Sequence, residues 1–172
     1  MFKINHVPPD KAEGQVAEAY GVFPQGFPPP APFQLMSASP GLMDIQTRSL
    51  RYFMTHPTLD TGLLAMIRYA VAQHICYDFC VGLNAHLLKA AAGMSEKELA
   101  TLRDNPENAP LEEEQKALLL FVLKVVKTPR EVTQEDVQTL RGLGWSDQDI
   151  FDAAFHASSM QTSNTLMAAF GK

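Results

Sequence analysis

Apolar residues recur along this chain at the three- and four-residue intervals of α-helices, and the alternation typical of half-buried strands is nearly absent. The strongest example is the segment 111–127, where apolar residues cover much of the helix surface. Its first turn carries the acidic run 112–114 and its last turn carries Lys124 and Lys127, which complements the helix dipole. The pattern predicts an all-α fold.

Capping residues, glycine and proline divide the rest of the chain into further helices. Ser39 followed by Pro40 predicts one helix start, and a capping box at 95–98 predicts another. Gly93 predicts a helix end. The segment 59–92 is long for one helix of a small domain, so we expect a break within it. The six to eight predicted helices comprise 11–20, the helix that starts at Pro40, 59–92 with its break near 73–75, 95–103, 111–127, 133–143 and 146–170.

Prolines are concentrated in the first part of the chain, with a dense run between residues 28 and 32. Because proline removes backbone donors and restrains the residue before it, this run must be extended or turned. We therefore expect residues 1–38 to form an N-terminal extension and residues 39–172 to form one helical domain. A chain of 172 residues and 19.0 kDa is long enough to bury a sizeable core.

The composition narrows the class of partner. The net charge is −5 and there is no basic run, which argues against a nucleic acid or an anionic membrane. No apolar stretch reaches the ~18 residues that a membrane span needs, and the N-terminus lacks the apolar core of a signal peptide. Two cysteines do not make a disulfide framework. We therefore expect a cytoplasmic protein, in which a close cysteine pair is more often catalytic, redox-sensing or metal-binding than structural.

The two cysteines lie close together in the stretch HICYDFCVGLNAH at 74–86. Cys76 and Cys80 are four residues apart, which on a helix means one face and a Cα separation of roughly 6 Å, at the long end of what a disulfide tolerates. If the helix instead begins near Cys76, this first cysteine is free of helical constraint and lies near the positive end of the helix, where the thiolate is favoured. On a continuous helical wheel the cysteine stripe comprises Tyr69, Gln73, Cys76, Cys80, Leu83, Asn84 and Leu87.

Three interpretations of these cysteines remain open. They are core residues, since cysteine is among the most buried residue types. They are zinc ligands, although His74 and His86 do not share their face, so we expect no metal site. Or they are a redox pair, which also needs a group that handles protons. No Walker loop, dinucleotide fingerprint or H-E-x-x-H motif occurs, and we expect no cofactor.

The order of segments resembles the carboxymuconolactone decarboxylase / alkylhydroperoxidase D (AhpD)-like superfamily over most of residues 39–170. The segments that carry the resemblance are SPGLM at 39–43, 59–72, the cysteine segment 76–95 with HLLKAAAGMS at its end, the helix 111–127, GWSDQDI at 144–150 and QTSNTL at 161–166. The resemblance implies an AhpD-like helical domain and a homo-oligomer, either a trimer or a hexamer.

The redox motif of that family is a glutamate, eleven residues, C-x-x-C, three residues and a histidine. With Cys80 as the second cysteine, the first falls on Tyr77 and Cys76 is one place early. The histidine position becomes Asn84, and the glutamate position becomes Ala65. In the family the glutamate and histidine are thought to relay protons to the thiols. Asparagine forms hydrogen bonds but does not titrate.

The resemblance implies a thiol-dependent oxidoreductase, an antioxidant peroxidase that reduces hydroperoxides or disulfides through Cys76 and Cys80. His86 is the candidate proton handler, and Tyr69, Gln73, Tyr77 and Asn84 are candidate pocket residues. The partners would be a small-molecule peroxide and a thiol reductant protein. Two alternatives stay open: a redox-inactive member that binds a small ligand in the helical pocket, and a lactone decarboxylase like the family's namesake.

Overall fold

The computed structural model describes residues 2–24, 26–75 and 78–171. Within these ranges the chain forms nine α-helices and no β-strand, which confirms the predicted all-α class. The helices are α1 (Gly14–Tyr20), α2 (Ala31–Met36), α3 (Pro40–Met54), α4 (Thr61–His74), α5 (Asp78–Ala92), α6 (Glu96–Asp104), α7 (Glu113–Lys127), α8 (Gln134–Gly142) and α9 (Asp147–Phe170). Three short 3-10 turns, at Pro9–Lys11, Pro106–Asn108 and Pro129–Glu131, lie between them.

One compact unit consists of residues 1–56 and 163–172, and holds α1, α2, α3 and the end of α9. Both α1 and α2 pack against α3. The Tyr20 hydroxyl donates a 2.6 Å hydrogen bond to the carbonyl of Val7. This bond connects the N-terminal segment to α1. The buried core of the unit comprises Val16, Ala19, Tyr20, Phe33 and Met43.

The other unit consists of residues 57–162 and is built around α4. This helix is apolar on most of its surface and packs against α5, α6 and α7, while α7 also packs against α8. Its buried residues are Leu63, Leu64, Ala65, Ile67, Tyr69, Ala70, Val71 and Ala72. Burial on several sides is what a wide apolar surface favours. Among the described residues, no helix has the length and apolar character required to cross a bilayer.

The predicted helix ends are found close to their expected positions. Ser95 and Thr133 each form a complete capping box, with Glu98 and Asp136 respectively. Asp149 Oδ2 accepts a 3.0 Å hydrogen bond from the backbone N–H of Ser146, and Ser146 Oγ accepts one of 3.1 Å from the N–H of Asp149. Each pair satisfies backbone donors that a helix start otherwise leaves without partners.

The predicted interruption of 59–92 is also confirmed. α4 ends at His74, the next described helix begins at Asp78, and Gly93 follows the end of that helix with a φ of 66°. This left-handed conformation is the one that glycine adopts without steric cost. The proposed boundary between an extension at 1–38 and a domain at 39–172 stays a prediction.

Candidate active site

The break between α4 and α5 determines where Cys80 lies. Because α5 begins at Asp78, Cys80 is in the first turn of the helix and is half-buried. The first turn is the positive end of the helix dipole, where backbone N–H groups point outward and favour a thiolate over a thiol. The sequence-based alternative placed Cys76 at this end of the helix, and Cys76 lies outside the described residues.

A partly buried arginine on α4 faces this turn. Arg68 Nε donates a 2.9 Å hydrogen bond to Asn84 Oδ1, and Arg68 Nη1 lies 3.0 Å from His156 Nε2. Asn84 Nδ2 donates a 2.8 Å hydrogen bond to the backbone carbonyl of Cys80, one turn earlier on α5. These contacts connect α4, α5 and α9 within the unit 57–162. We call Arg68, Asn84 and His156 the arginine cluster.

The chemistry of the partners fixes the orientation of each group in the arginine cluster. Arginine donates hydrogen bonds and accepts none, so His156 Nε2 must be the acceptor and the ring proton lies on Nδ1. The Asn84 amide is oriented in the same way, because its oxygen faces a donor and its nitrogen faces a carbonyl. Asn84 is 1% exposed and His156 is 9% exposed, so both side chains are held in place by protein rather than by water.

Burial keeps His156 neutral. Desolvation, followed by the nearby positive charge of Arg68, lowers the pKa of His156 to about 3. Desolvation also lowers the pKa of Arg68, to about 10, and the negative charge of ionised Cys80 acts in the opposite direction. Arg68 therefore stays a cation and His156 a neutral acceptor across the physiological range. The hydrogen bonds through Asn84 place the guanidinium near the backbone of Cys80.

Among the side chains that the structure describes, no carboxylate contacts Arg68. Its described hydrogen-bond partners are a neutral amide and a neutral imidazole. A desolvated charge is stable only with partners that compensate it, and neutral acceptors do this without cancelling the charge. Among the described side chains, the partners of Arg68 therefore leave its positive charge uncancelled.

The candidate residues from the sequence are found in different environments. Asn84 is in the arginine cluster. Tyr69 is buried on α4, and Gln73 is partly buried near the end of the same helix. The single helical wheel that grouped these positions with Cys80 does not continue across the break after His74.

The proposed roles of the three remaining candidate residues stay predictions. Cys76 and Tyr77 lie outside the described residues, so their proposed roles stay predictions. His86 is exposed on α5, six residues after Cys80, and none of the hydrogen bonds or ion pairs described for this chain involves it. Its role as proton handler also stays a prediction.

The sequence interpretation did not single out Arg68. A lone arginine within an apolar helix usually extends its charged end to the surface, and nothing in the local pattern distinguishes it from that case. One signal was available: Arg68 is the only charged residue between Thr61 and Gln73 in a segment otherwise suited to the core.

In the described part of the chain, no group of three or more histidine, cysteine or acidic side chains is positioned to hold a metal ion.

No protein-family model and no curated protein sequence matches this chain. Solved structures do match it. One is an alkylhydroperoxidase AhpD core, described as an uncharacterized peroxidase-related protein, from Ralstonia eutropha JMP134, with a TM-score of 0.72 and 25% identity over 86% of this chain and 77% of that one. Another is an uncharacterized peroxidase-related protein from Silicibacter sp. TM1040, with a TM-score of 0.70 and 20% identity over 80% and 72%.

Proposed function

Because the chain has the fold of the AhpD-like superfamily, we propose that it is a thiol-dependent oxidoreductase that reduces hydroperoxides or disulfides through Cys80 and Cys76. The observation that carries the proposal is the position of Cys80. It is in the first turn of α5, and Asn84 connects its backbone carbonyl to the Arg68 guanidinium. Both features favour the thiolate, which is the form that attacks a peroxide or a disulfide.

The reaction requires two thiols and no metal. The Cys80 thiolate attacks the outer oxygen of the hydroperoxide, an S–O bond forms, and the O–O bond breaks. The sulfur is oxidised by two electrons to a sulfenic acid, and the alkoxide that leaves takes a proton and becomes an alcohol. The Cys76 thiol then attacks the sulfenic sulfur, water leaves, and a disulfide forms. An external dithiol, supplied by a reductant protein, restores both thiols.

The test is a count of thiols. The purified chain is treated with hydrogen peroxide or cumene hydroperoxide, quenched with an alkylating reagent and weighed by mass spectrometry. We expect rapid, stoichiometric loss of both thiols in wild type and protection of Cys76 in Cys80→Ser. In Cys76→Ser, Cys80 should accumulate as sulfenic acid, trapped by dimedone. If both thiols of wild type stay reduced under excess peroxide, the proposal is wrong.

The second candidate is a redox-inactive protein that binds a small ligand in the helical pocket. The observation that favours it is Asn84, which is buried where the family resemblance puts a histidine and which cannot transfer a proton. Thiols that stay reduced under peroxide would support this candidate.

We also propose that the chain assembles with copies of itself into a trimer or hexamer. Phe151 and Phe155 lie one turn apart on α9 and are 69% and 51% exposed, and large exposed apolar side chains are common at subunit interfaces. Light scattering after size exclusion measures the mass directly. A monomer mass at micromolar concentration would contradict this proposal.

A further inference from the structure

Building on the proposed function, we propose that Arg68 provides through a fixed positive charge what a glutamate–histidine relay would provide through proton transfer, and that Asn84 and His156 are its positioning residues. Arg68 would hold Cys80 as a thiolate and would stabilise the oxygen that leaves in the next step. The inference concerns a residue that the family motif does not contain.

The described hydrogen bonds of Arg68 leave its positive charge in place. Two donors of Arg68 are bound to uncharged acceptors, Asn84 Oδ1 and His156 Nε2, at 2.9 and 3.0 Å. A carboxylate in either place would neutralise the guanidinium and remove its attraction for a thiolate. Since neither acceptor is charged, the attraction for the group that ionises beside it, Cys80, is kept.

Asn84 connects Arg68 to the turn of α5 that carries Cys80. The Asn84 amide nitrogen donates to the Cys80 carbonyl at 2.8 Å, while its oxygen receives Arg68 Nε. One buried side chain therefore fixes the guanidinium relative to the backbone of Cys80. A neutral amide performs this task equally well at any pH, whereas a histidine in its place would gain a charge in acid.

His156 accepts a hydrogen bond from Arg68 and adds no charge of its own. As a neutral imidazole with its lone pair on Nε2, it holds Arg68 Nη1 from the side of α9. The resulting site moves no proton of its own near neutral pH. During peroxide reduction, negative charge passes from the Cys80 sulfur to the leaving oxygen, which then takes its proton from water. A fixed cation stabilises the negative charge both on the Cys80 sulfur and on the leaving oxygen.

The experiment measures the thiolate directly, without peroxide. In a Cys76→Ser background, the rate at which iodoacetamide alkylates Cys80 is followed against pH. We expect Arg68→Met to raise the midpoint by about 1–3 pH units, because a nearby opposite charge shifts a pKa by that amount. Arg68→Lys should recover part of the shift. Arg130→Met removes an exposed arginine and should leave the midpoint unchanged.

Variants of the two positioning residues separate charge from packing. Asn84→Asp is nearly isosteric but places a carboxylate on Arg68, so we expect its midpoint to rise as in Arg68→Met. His156→Leu removes the acceptor for Nη1 and should raise the midpoint by a smaller amount, and His156→Gln, whose amide oxygen accepts the same bond, should restore it. Circular dichroism at each pH confirms that every variant is folded.

The outcomes distinguish this inference from the proposed function. If folded Arg68→Met and Asn84→Asp keep the wild-type midpoint, the role of Arg68 is refuted, even if peroxide oxidises the wild-type thiols. If the midpoints shift as expected while peroxide leaves the wild-type thiols reduced, the proposed function fails and the electrostatic role stands. If His156→Gln behaves like His156→Leu, the positioning role of His156 is refuted.

Discussion

The neutral, buried state of His156 makes the stability of the protein depend on pH in a specific window. The pKa of His156 is lowered from its ordinary value of 6.5 to about 3 by desolvation and by Arg68. Between these values the unfolded chain binds a proton at this residue and the folded chain does not. Acid therefore favours unfolding there, and the contribution of His156 is fully present only above about pH 6.5.

The size of the effect follows from the two pKa values. A difference of one bound proton changes the free energy of unfolding by about 1.4 kcal/mol per pH unit. A pH of about 5 is roughly 1.5 units below the unfolded value, so we expect His156 to cost wild type about 2 kcal/mol between about pH 7.5 and pH 5. The slope should continue toward the folded value and then level off.

The assay compares wild type with His156→Gln by urea unfolding at these two pH values and at one protein concentration. Glutamine keeps an acceptor for Arg68 but does not titrate. Burial and Lys127 also lower the pKa of His74, which acts in the same direction in both proteins and cancels in the difference. The control is His86→Gln, which replaces an exposed histidine and should lose stability on acidification as wild type does.

One result would refute this reasoning about His156. If wild type and His156→Gln lose the same free energy of unfolding between the two pH values, His156 is protonated equally in the folded and unfolded states. In that case the folded chain would bind a proton at His156 at about pH 5, and the ring could not accept the hydrogen bond of Arg68 at that pH.

Three stability changes test the rest of the unit 57–162 by urea unfolding. Asp60→Ala should cost about 1 kcal/mol, because Asp60 Oδ1 caps α4 by accepting two backbone hydrogen bonds at 2.7 and 2.9 Å, and Asp60→Asn should recover most of it. Leu118→Ala should cost about 2–5 kcal/mol, because Leu118 is fully buried on α7. Lys124→Met should cost less than about 1 kcal/mol and less in high salt, because the ion pair of Lys124 with Asp136 is partly exposed; a cost that salt leaves unchanged would contradict this.

The helices could be predicted because their signals are local. The capping box at Ser95 needs only four consecutive residues, and it forms as expected. One helix start that differs from the predicted position also has a local reason. α4 begins at Thr61 rather than Leu59, because the Asp60 side chain caps the backbone there. A hydrophobic pattern alone cannot distinguish the last residue of a loop from the first residue of a helix.

The arginine cluster could not be predicted because its contacts join distant parts of the chain. Arg68 meets Asn84 across a break between two helices, and it meets His156 on a helix that begins 79 residues later, at Asp147. The helical wheel is valid only within one helix, so it cannot place Tyr69 and Gln73 relative to Cys80 across the break after His74. The hydrogen bond between Arg68 and His156 depends on the tertiary packing of α9.

The absence of the family's acid and histidine makes physical sense once Arg68 is included. Ala65 and Arg68 are three residues apart on α4 and therefore neighbours on its surface. A glutamate at 65 would lie within reach of the guanidinium and cancel its charge, and a histidinium at Asn84 would repel it. Under the proposed role of Arg68, the two departures from the family motif are thus the same two that allow this partly buried arginine to keep its charge near Cys80. A site that depends on a fixed charge requires both positions to be neutral, and here both are.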